Sequence, residues 1–322
     1  MHLRNVLLIG GSGFVGSAIA ARLSGAGVNV LVPSRRRERA KALILLPTVE
    51  VVEAQVHDEV QLAQLVRGMD AVINLVGVLH GGRGRQGEPY GPQFKQAHVD
   101  LPRKIAQACV NAGVPRLVHV SALGARADAP AMYLRSKAAG EAALMEFKDR
   151  LALTILRPSV CFGPDDKFLN LFAHLQAMML FFPLGRAEAK LQPVYVEDVA
   201  QAAINVLANP ATYGQAYDIA GPKAYTLKEL VQYAGSLSGH PRLVVGLPEP
   251  LAYLQAWMME WLPNPPLSRD NLDAIKVDNL MAGEVSPELG ITPVALETIG
   301  PMYLSHQTPR ERYMQLRDHA GR

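Results

Sequence analysis

The sequence predicts an α/β fold: a doubly wound parallel sheet with a smaller, mostly helical C-terminal lobe. Three observations support this prediction. Short apolar runs alternate with helix-length segments through the first half of the chain, as they do in successive β-α units. A glycine-rich turn directly follows the first apolar run. Beyond Pro158 the alternation breaks, and longer apolar and helical segments take its place.

The elements before Pro158 follow from this alternation. Short apolar runs, typical of buried parallel strands, predict strands over residues 6–9, 28–32, 49–52, 71–76, 117–121 and 151–156. The segments between them predict helices over residues 17–26, 36–46, 60–67, 94–113 and 133–147. The fourth helix is expected to end at Gly113, which is followed two residues later by a proline. Right-handed crossovers would make all the strands parallel.

The second half of the chain predicts a smaller lobe. Residues 168–184 are apolar and helical at first, residues 191–209 form a strand or turn that enters a helix, and residues 214–222 form one more strand. We therefore predict a sheet domain over residues 1–165 with returning segments about 192–222. Residues 166–191 and 223–322 are predicted to form the smaller lobe, which covers the carboxyl edge of the sheet.

Composition argues against several classes of protein. The net charge of +3 gives no ground for nucleic-acid binding. Cys109 and Cys161 lie far apart, with neither metal-ligand spacing nor a disulfide framework, which suits the reducing cytoplasm. The first apolar run leads straight into the glycine turn, unlike a signal peptide. No run reaches the ~18 apolar residues of a membrane span. We expect a cytoplasmic protein without a metal.

The glycine turn predicts a phosphate site. Gly10, Gly13 and Gly16 stand between the first strand and a helix. The first allows a tight turn, the second lets backbone approach a pyrophosphate, and the third lets the helix pack on the strand. The pyrophosphate then lies at the helix N-terminus, beside Phe14 and Val15. This context predicts a Rossmann-type dinucleotide-binding domain.

The end of the second strand indicates which dinucleotide is bound. An NAD site usually has Asp or Glu there to bind the ribose hydroxyls. This chain has Ser34, Arg35 and Arg36, with no acid before Glu38. Arginine suits a 2′-phosphate because its planar fork makes paired, charge-assisted hydrogen bonds. The sequence therefore favours NADP(H) over NAD(H). A solvent-facing basic helix start is the alternative.

A Tyr–Lys pair completes a set of motifs. Tyr133 and Lys137 are four residues apart in AMYLRSKAAGE. The chain resembles extended short-chain dehydrogenases/reductases over residues 5–222. The resemblance rests on this pair, the glycine turn, NLVG (residues 74–77), LRPSVCFGP and VYVEDVA. The chain is also similar to one atypical subgroup of that family, in the motifs HVSALGA, YLRSKAAGE, LRPSVCFGPDDKFLN and LQPVYVEDVA. That subgroup contains the nucleotide-binding accessory subunit of mitochondrial respiratory complex I and its bacterial relatives.

The resemblance implies a tightly held NAD(P) cofactor, and in the mitochondrial relative it implies a structural role without turnover. In active members the lysine binds the nicotinamide ribose and lowers the tyrosine pKa from about 10 toward working pH, so that the tyrosine passes a proton. Carried over, Tyr133 and Lys137 are the candidate catalytic residues. The other cofactor contacts that the resemblance implies are Val76, Gly77, Ser121, Pro158 and Val160, with Lys137 serving here as well.

Three positions depart from the family pattern. The usual catalytic hydroxyl falls at or near Leu123, and Ser121 stands two residues early. His98 replaces the helical Asn that commonly completes the proton relay, and Gln55 replaces an Asp that often binds adenine. His98 is either a substitute relay residue or a structural hydrogen-bonding group. Catalytic turnover by Tyr133 is therefore left open.

The second lobe carries an apolar helical segment. Tyr253, Trp257 and Trp261 are four residues apart and share a helix face. This face is either core or a contact surface for a protein partner, an apolar small molecule or a membrane, where Trp and Tyr are favoured. Peripheral membrane contact is thus an alternative to a purely cytoplasmic location.

Three functions compete at this point. The first is an NADP(H)-dependent oxidoreductase acting on an apolar carbonyl compound of the quinone or isoprenoid type. The second is a non-catalytic, cofactor-binding structural or assembly protein. The third is a sugar-nucleotide epimerase or dehydratase. It is disfavoured because such enzymes usually keep the hydroxyl that Leu123 replaces.

Overall fold

A parallel sheet of seven strands forms the centre of the fold in the computed structural model, which describes residues 3–82, 88–262 and 265–305. The strands in chain order are β1 (Asn5–Ile9), β2 (Asn29–Ser34), β3 (Val49–Glu53), β4 (Ala71–Asn74), β5 (Arg116–Val120), β6 (Ala152–Pro158), β7 (Cys161–Phe162), β8 (Phe181–Gly185), β9 (Lys190–Leu191), β10 (Val194–Tyr195), β11 (Gln215–Ile219), β12 (Tyr225–Thr226) and β13 (Leu243–Leu247). The order in the sheet is β3-β2-β1-β4-β5-β6-β11. The strand order therefore reverses between β1 and β4, which is where ligands bind in open α/β sheets.

Helices cover both faces of this sheet. In chain order they are α1 (Phe14–Gly25), α2 (Glu59–Val66), α3 (Pro92–Phe94), α4 (Leu101–Ala112), α5 (Met132–Met145), α6 (Leu169–Met178), α7 (Val196–Ala208), α8 (Leu227–Leu237), α9 (Glu249–Met259), α10 (Arg269–Ala274) and α11 (Leu296–Leu304). Short 3₁₀ helices span residues 37–45, 210–212 and 287–289. A π-helical stretch, Lys95–Asp100, joins α3 to α4.

The alternation of side chains along each strand divides the core into two layers. Val6 and Leu8 of β1 pack with residues of α1 and α7 on one face. Leu7 and Ile9 pack with residues of α2 and α4 on the other face. A strand that is buried on both faces must be apolar at consecutive positions, which explains the short apolar runs. The predicted Rossmann-type α/β fold is confirmed.

Three predicted elements differ in detail from the structure. The segment predicted to be helical over residues 36–46 is helical over residues 37–45, but it has 3₁₀ geometry and is kinked at Ala40, where φ is −114°. Strand β4 ends at Asn74, whose side-chain oxygen accepts the Val76 N–H at 3.1 Å and turns the chain. The predicted helix over residues 94–113 changes to π geometry at residues 95–100.

The C-terminal region has its own apolar cluster. Residues of α6, α8 and α11 pack together there with those of two strands, β8 and β13. Residues 168–184 are helical at first, as predicted, over α6, and then form β8, which pairs in parallel with β13. The region also contains the short β9–β12 pair and is otherwise mainly helical, as predicted. The division into domains at residues 165, 192 and 222 stays a prediction.

A fully buried arginine, Arg116, joins β5 to β6 and to α7. The Arg116 guanidinium, on β5, donates to Thr154 Oγ1 at 2.7 Å, to the Val206 carbonyl at 2.7 Å and also to the Ala152 carbonyl. The guanidinium carbon, Cζ, lies 4.7 Å from the centre of the Tyr213 ring. Burial lowers the pKa of Arg116 to about 10. A planar fork can make these bonds at once, and an ammonium cannot.

We expect Arg116→Lys to lower the free energy of unfolding by on the order of 2–4 kcal/mol, because it leaves buried acceptors unpaired. Urea unfolding measures the change. Arg150→Lys is the control, since Arg150 is exposed and lies over the Phe147 ring. The control is expected to change stability by less than about 0.5 kcal/mol. Equal losses in the two variants would contradict this role for Arg116.

Candidate functional site

The glycine turn brings the start of α1 onto the end of β1. Gly10 has a φ of +87°, and a Cβ there would lie 3.1 Å from the backbone carbon of Leu75. The Gly13 N–H donates to the Gly10 carbonyl at 3.0 Å. A Cβ on Gly16 would lie 2.5 Å from the Gly10 oxygen and 2.6 Å from the Gly11 Cα. The turn has this shape only because these positions lack side chains.

The N-terminus of α1 is open to an anion. Within residues 3–82, Gly13 precedes the helix without a side-chain cap, and the first turn holds no acid. The N–H groups of Phe14 and Val15 therefore remain available as hydrogen-bond donors, and the helix dipole places positive charge at this end. The Phe14 ring lies against Gly163, since a Cβ there would be 3.2 Å from the ring. This end of α1 can hold a pyrophosphate.

A basic edge follows β2. The buried Ser34 hydroxyl donates to the Arg36 carbonyl at 2.8 Å, and both Arg35 and Arg36 are exposed. Burial, then the charge of Lys104, then that of Arg35 lowers the pKa of His57. His57 follows β3 and was not among the residues selected from the sequence. Its nearness to Arg35 depends on the pairing of β2 with β3, which the sequence does not state.

The turn after β4 runs beside Lys137. Asn74 holds this turn, because its Oδ1 accepts the Val76 N–H at 3.1 Å and its Nδ2 lies 3.1 Å from His119 Nδ1. A Cβ on Gly77 would lie 3.3 Å from Lys137 Nζ. Val76 and Gly77 thus connect the glycine turn to the lysine.

Tyr133 and Lys137 lie one turn apart on α5. Lys137 is 3% exposed, and its Nζ donates to the Val120 carbonyl at 3.2 Å. Burial lowers the pKa of Lys137 to about 8, against the opposing charge of Glu141. Burial, with a smaller effect of Cys161, raises the pKa of Tyr133 to about 12. The tyrosine pKa therefore shifts in the direction opposite to the one that the resemblance implied.

His98 is held by hydrogen bonds at both ring nitrogens. Nε2 accepts the Val78 N–H at 3.0 Å, so the proton is assigned to Nδ1, which lies 2.8 Å from Ser136 Oγ. Ser136 in turn donates to the Tyr133 carbonyl at 2.7 Å. Burial, then the charge of Lys137 lowers the pKa of His98 to about 2, so the ring is neutral. This arrangement favours the structural alternative over a proton relay.

An aromatic cluster packs around Tyr133. The Phe94 and His98 rings stack at 5.4 Å between centroids, and the Tyr133 ring meets His98 edge-on at 5.5 Å. The π-helical stretch that carries His98 lies directly on α5, since a Cβ on Gly140 would be 1.9 Å from the His98 carbonyl oxygen. Sequence reasoning missed Phe94 and Gly140. The glycine inside AAGEAA was the available signal.

The ends of β5 and β6 meet beside this cluster. Ser121 is buried, and its hydroxyl has no hydrogen-bond partner among the described residues. The Leu123 N–H donates to the Pro158 carbonyl at 2.9 Å, and the carbonyl of Val160 accepts a bond from Val194. Leu123 is buried and brings no hydroxyl to the position where the family usually has one.

The arrangement fits a nicotinamide dinucleotide. The glycine turn forms a cradle that a side chain would fill, and the N-terminus of α1 offers donors to a pyrophosphate. At the other end, the unpaired Ser121 hydroxyl and the buried Lys137 ammonium suit a polyhydroxylated ribose. Among described His, Cys, Asp and Glu side chains, no group of three or more could hold a metal ion.

The tryptophans of the second lobe lie on the outside. Ala252 and Ala256 form the buried side of α9, whereas Trp257 is 40% exposed. Trp261 is 74% exposed and lies in the turn after α9, which ends at Met259, so the predicted shared helix face does not extend to it. Tyr253 is half-buried, and its hydroxyl donates to Asp273 at 2.5 Å. Other large apolar side chains exposed on α9 and just after it are Leu251, Leu254, Met258 and Leu262. Among described helices, none is long and apolar enough to cross a membrane.

Comparison with known proteins gives a family and several relatives. The model of the NAD dependent epimerase/dehydratase family matches residues 6–220. NADH dehydrogenase (ubiquinone) 1 alpha subcomplex subunit 9, mitochondrial, of Rattus norvegicus is 31% identical over 90% of this chain and 77% of its own. A 2-alkyl-3-oxoalkanoate reductase of Stenotrophomonas maltophilia is 26% identical over 74% of this chain and 77% of its own.

Solved structures share the fold. A dTDP-glucose 4,6-dehydratase from Streptomyces venezuelae, solved with NAD, superposes with a TM-score of 0.74 at 22% identity. The match covers 93% of this chain and 95% of that one. Together with the relatives, it confirms the resemblance that the sequence motifs predicted.

We expect Gly16→Ala to destabilise the protein by on the order of 1–3 kcal/mol, because its Cβ would overlap the glycine turn. It should also weaken binding of NAD(P)H, measured by titration. Gly25→Ala is the control: it lies in the same helix with nothing within 4 Å of its Cβ. That variant should be neutral or more stable, by up to about 1 kcal/mol. A stable Gly16→Ala protein with normal affinity would refute the close approach.

Proposed function

Because the chain belongs to the NAD dependent epimerase/dehydratase family, we propose that it binds NADP(H) and reduces an apolar carbonyl compound of the quinone or isoprenoid type. One observation carries the proposal: Tyr133 and the buried Lys137 lie one turn apart on α5, and the turn at Gly77 runs beside Lys137.

The choice of NADP(H) rests on the charge at the end of β2. Arg35 and Arg36 are exposed there, and no acid precedes Glu38. The bond from the Ser34 hydroxyl to the Arg36 carbonyl holds this turn. Two guanidinium groups suit the extra phosphate of NADP(H) and leave the ribose hydroxyls of NAD(H) without their usual carboxylate.

The reaction assigns the proton to Tyr133. When bound, NADPH supplies a hydride, with its two electrons, to the carbonyl carbon. The Tyr133 hydroxyl gives its proton to the carbonyl oxygen, which completes the alcohol, and the tyrosinate takes a proton from solvent. With a pKa of about 12, Tyr133 is protonated at neutral pH. In this state it can donate a proton to a substrate oxygen.

The substrate class follows from the surroundings of Tyr133. Apolar side chains pack beside it, including those of Ala122, Ala131 and Leu134. Because Leu123 has no hydroxyl, Tyr133 is the proposed hydrogen-bond donor to the substrate oxygen. An apolar carbonyl compound tolerates such a site better than a diphosphate-sugar, whose polar groups need partners. The similar 2-alkyl-3-oxoalkanoate reductase is, by its name, an enzyme that reduces a carbonyl compound.

A second candidate is a cofactor-binding protein without turnover. Two observations favour it: Leu123 occupies the usual hydroxyl position, and a relative that covers most of the chain is named as a subunit of NADH dehydrogenase. In this case the exposed apolar side of α9 is the proposed contact for an apolar molecule, a protein partner or a membrane surface. The cytoplasm remains the proposed location. The third candidate, a sugar-nucleotide epimerase or dehydratase, is supported by the family and by the likeness of fold, and Leu123 at the usual hydroxyl position argues against it.

For the cofactor, we expect the Arg35→Ala/Arg36→Ala double variant to bind NADPH on the order of 10–100-fold more weakly, because it loses charge-assisted bonds to the 2′-phosphate. Its affinity for NADH should stay within a few-fold. Titration of the dissociation constants for both cofactors provides the test. Arg37→Ala, at the next exposed arginine, is the control. A wild type that prefers NADH, or a double variant that still prefers NADPH, would rule out this selectivity.

For the reaction, Tyr133→Phe and Lys137→Met separate the two candidates. Lys137→Met should weaken NADPH binding under either candidate, because it removes the proposed ribose ligand. Tyr133→Phe should leave NADPH affinity within a few-fold and lower turnover by about 10²–10⁴. The assay follows NADPH oxidation with a panel of quinones and aldehydes. If bound NADPH stays reduced throughout in the wild type, the reductase proposal is wrong and the second candidate stands.

A further inference from the structure

The first turn of α5 receives its cap from the C-terminal lobe. The residue before the helix is Ala131, whose side chain cannot accept a hydrogen bond. Asp270 takes this role from 138 residues away: its Oδ1 accepts the Met132 N–H at 2.6 Å, and its Oδ2 accepts the Tyr133 N–H at 3.1 Å. The carboxylate thus binds the backbone of the very residue that is proposed to donate the proton.

The position of Asp270 is itself well determined. Asp270 is 9% exposed and is the second residue of α10. Ser268 and Asn271 form a reciprocal capping box at the start of that helix. The neighbouring Arg269 makes a two-pronged ion pair with Glu260, just past the end of α9, at 2.8–3.2 Å. These contacts hold the start of α10, and with it Asp270, next to the end of α9.

We propose that Asp270 is a positioning residue: it holds Tyr133 in register with the cofactor and makes that register depend on the C-terminal lobe. A carboxylate at a helix N-terminus satisfies two unpaired N–H groups and opposes the helix dipole. Without it, the first turn of α5 can fray, and the Tyr133 side chain moves with its backbone. The part played by Tyr133 in the reaction rests on the proposed function; the cap itself does not.

The same contacts connect Tyr133 to the exposed apolar side of α9. Glu260 follows the tryptophan-bearing helix and binds Arg269, and Asp270 is the next residue. Ala274 of α10 also packs against the small apolar cluster around Tyr133.

The test compares Asp270→Ala and Asp270→Asn with Asp273→Asn in the full-length protein. Asp273 lies on the same helix but bonds to Tyr253 and Lys276, so its variant is the matched control. Selective labelling with ¹⁵N-tyrosine gives at most ten amide signals, and the signal lost in Tyr133→Phe is that of Tyr133. Hydrogen exchange of this amide is then measured in every variant. NADPH affinity and turnover are measured on the same samples.

In Asp270→Ala the Tyr133 amide should exchange about tenfold or more faster, relative to the other tyrosine amides, because a charge-assisted cap is lost. Asp270→Asn keeps one accepting oxygen, so its effect should be smaller; it also decides the matter if the alanine variant does not fold. Asp273→Asn should leave the ratio within about twofold. Turnover should fall in the Asp270 variants while the dissociation constant for NADPH stays within a few-fold.

An unchanged Tyr133 amide in both Asp270 variants would overturn the proposal. So would a uniform acceleration of all tyrosine amides, because that pattern reports only a loss of global stability. If the wild type shows no turnover, the reductase proposal fails alone, and the exchange ratio still decides whether Asp270 positions Tyr133.

Discussion

Burial of the Lys137 ammonium is the constraint on which the rest of the site depends. A buried charge is costly unless it is paired and hydrogen-bonded, and within the described chain its Nζ donates to the Val120 carbonyl. Burial lowers the pKa of Lys137 to about 8. The turn at Gly77 passes close to Nζ, since a Cβ there would lie 3.3 Å from it. A ribose that offers further oxygens would compensate the buried charge.

The helix that carries this lysine is held from both sides. Arg157 of β6 makes a two-pronged ion pair with the buried Glu141 of α5, with Nε at 2.9 and 3.1 Å from the two carboxylate oxygens. At the other end, Asp270 caps the first turn. The sheet therefore fixes the end of α5 beyond Lys137, and the C-terminal lobe fixes the end that carries Tyr133. The Tyr133 end and the Glu141 end of α5 are therefore held by different parts of the molecule.

The sequence predicted the sheet and the helices around it because their periodicity reports burial directly. The glycine turn was equally visible, since Gly16 meets the Gly10 carbonyl within a short segment. Contacts between distant segments were not visible. Asp270 is an ordinary acid in the sequence until folding brings it to α5, and the tyrosine pKa depends on burial that no spacing reveals. The π-helical stretch at His98 likewise depends on how closely α5 packs against it.

We propose that this fold retains NADP(H), the 2′-phosphorylated dinucleotide, at the glycine turn. Native mass spectrometry of the purified protein tests this most directly, because it weighs the intact complex and identifies the ligand by mass. We expect one NADP(H) per chain, carried through purification. A protein that holds NAD(H) instead, or that stays free of dinucleotide when NADPH is added in excess, would contradict it.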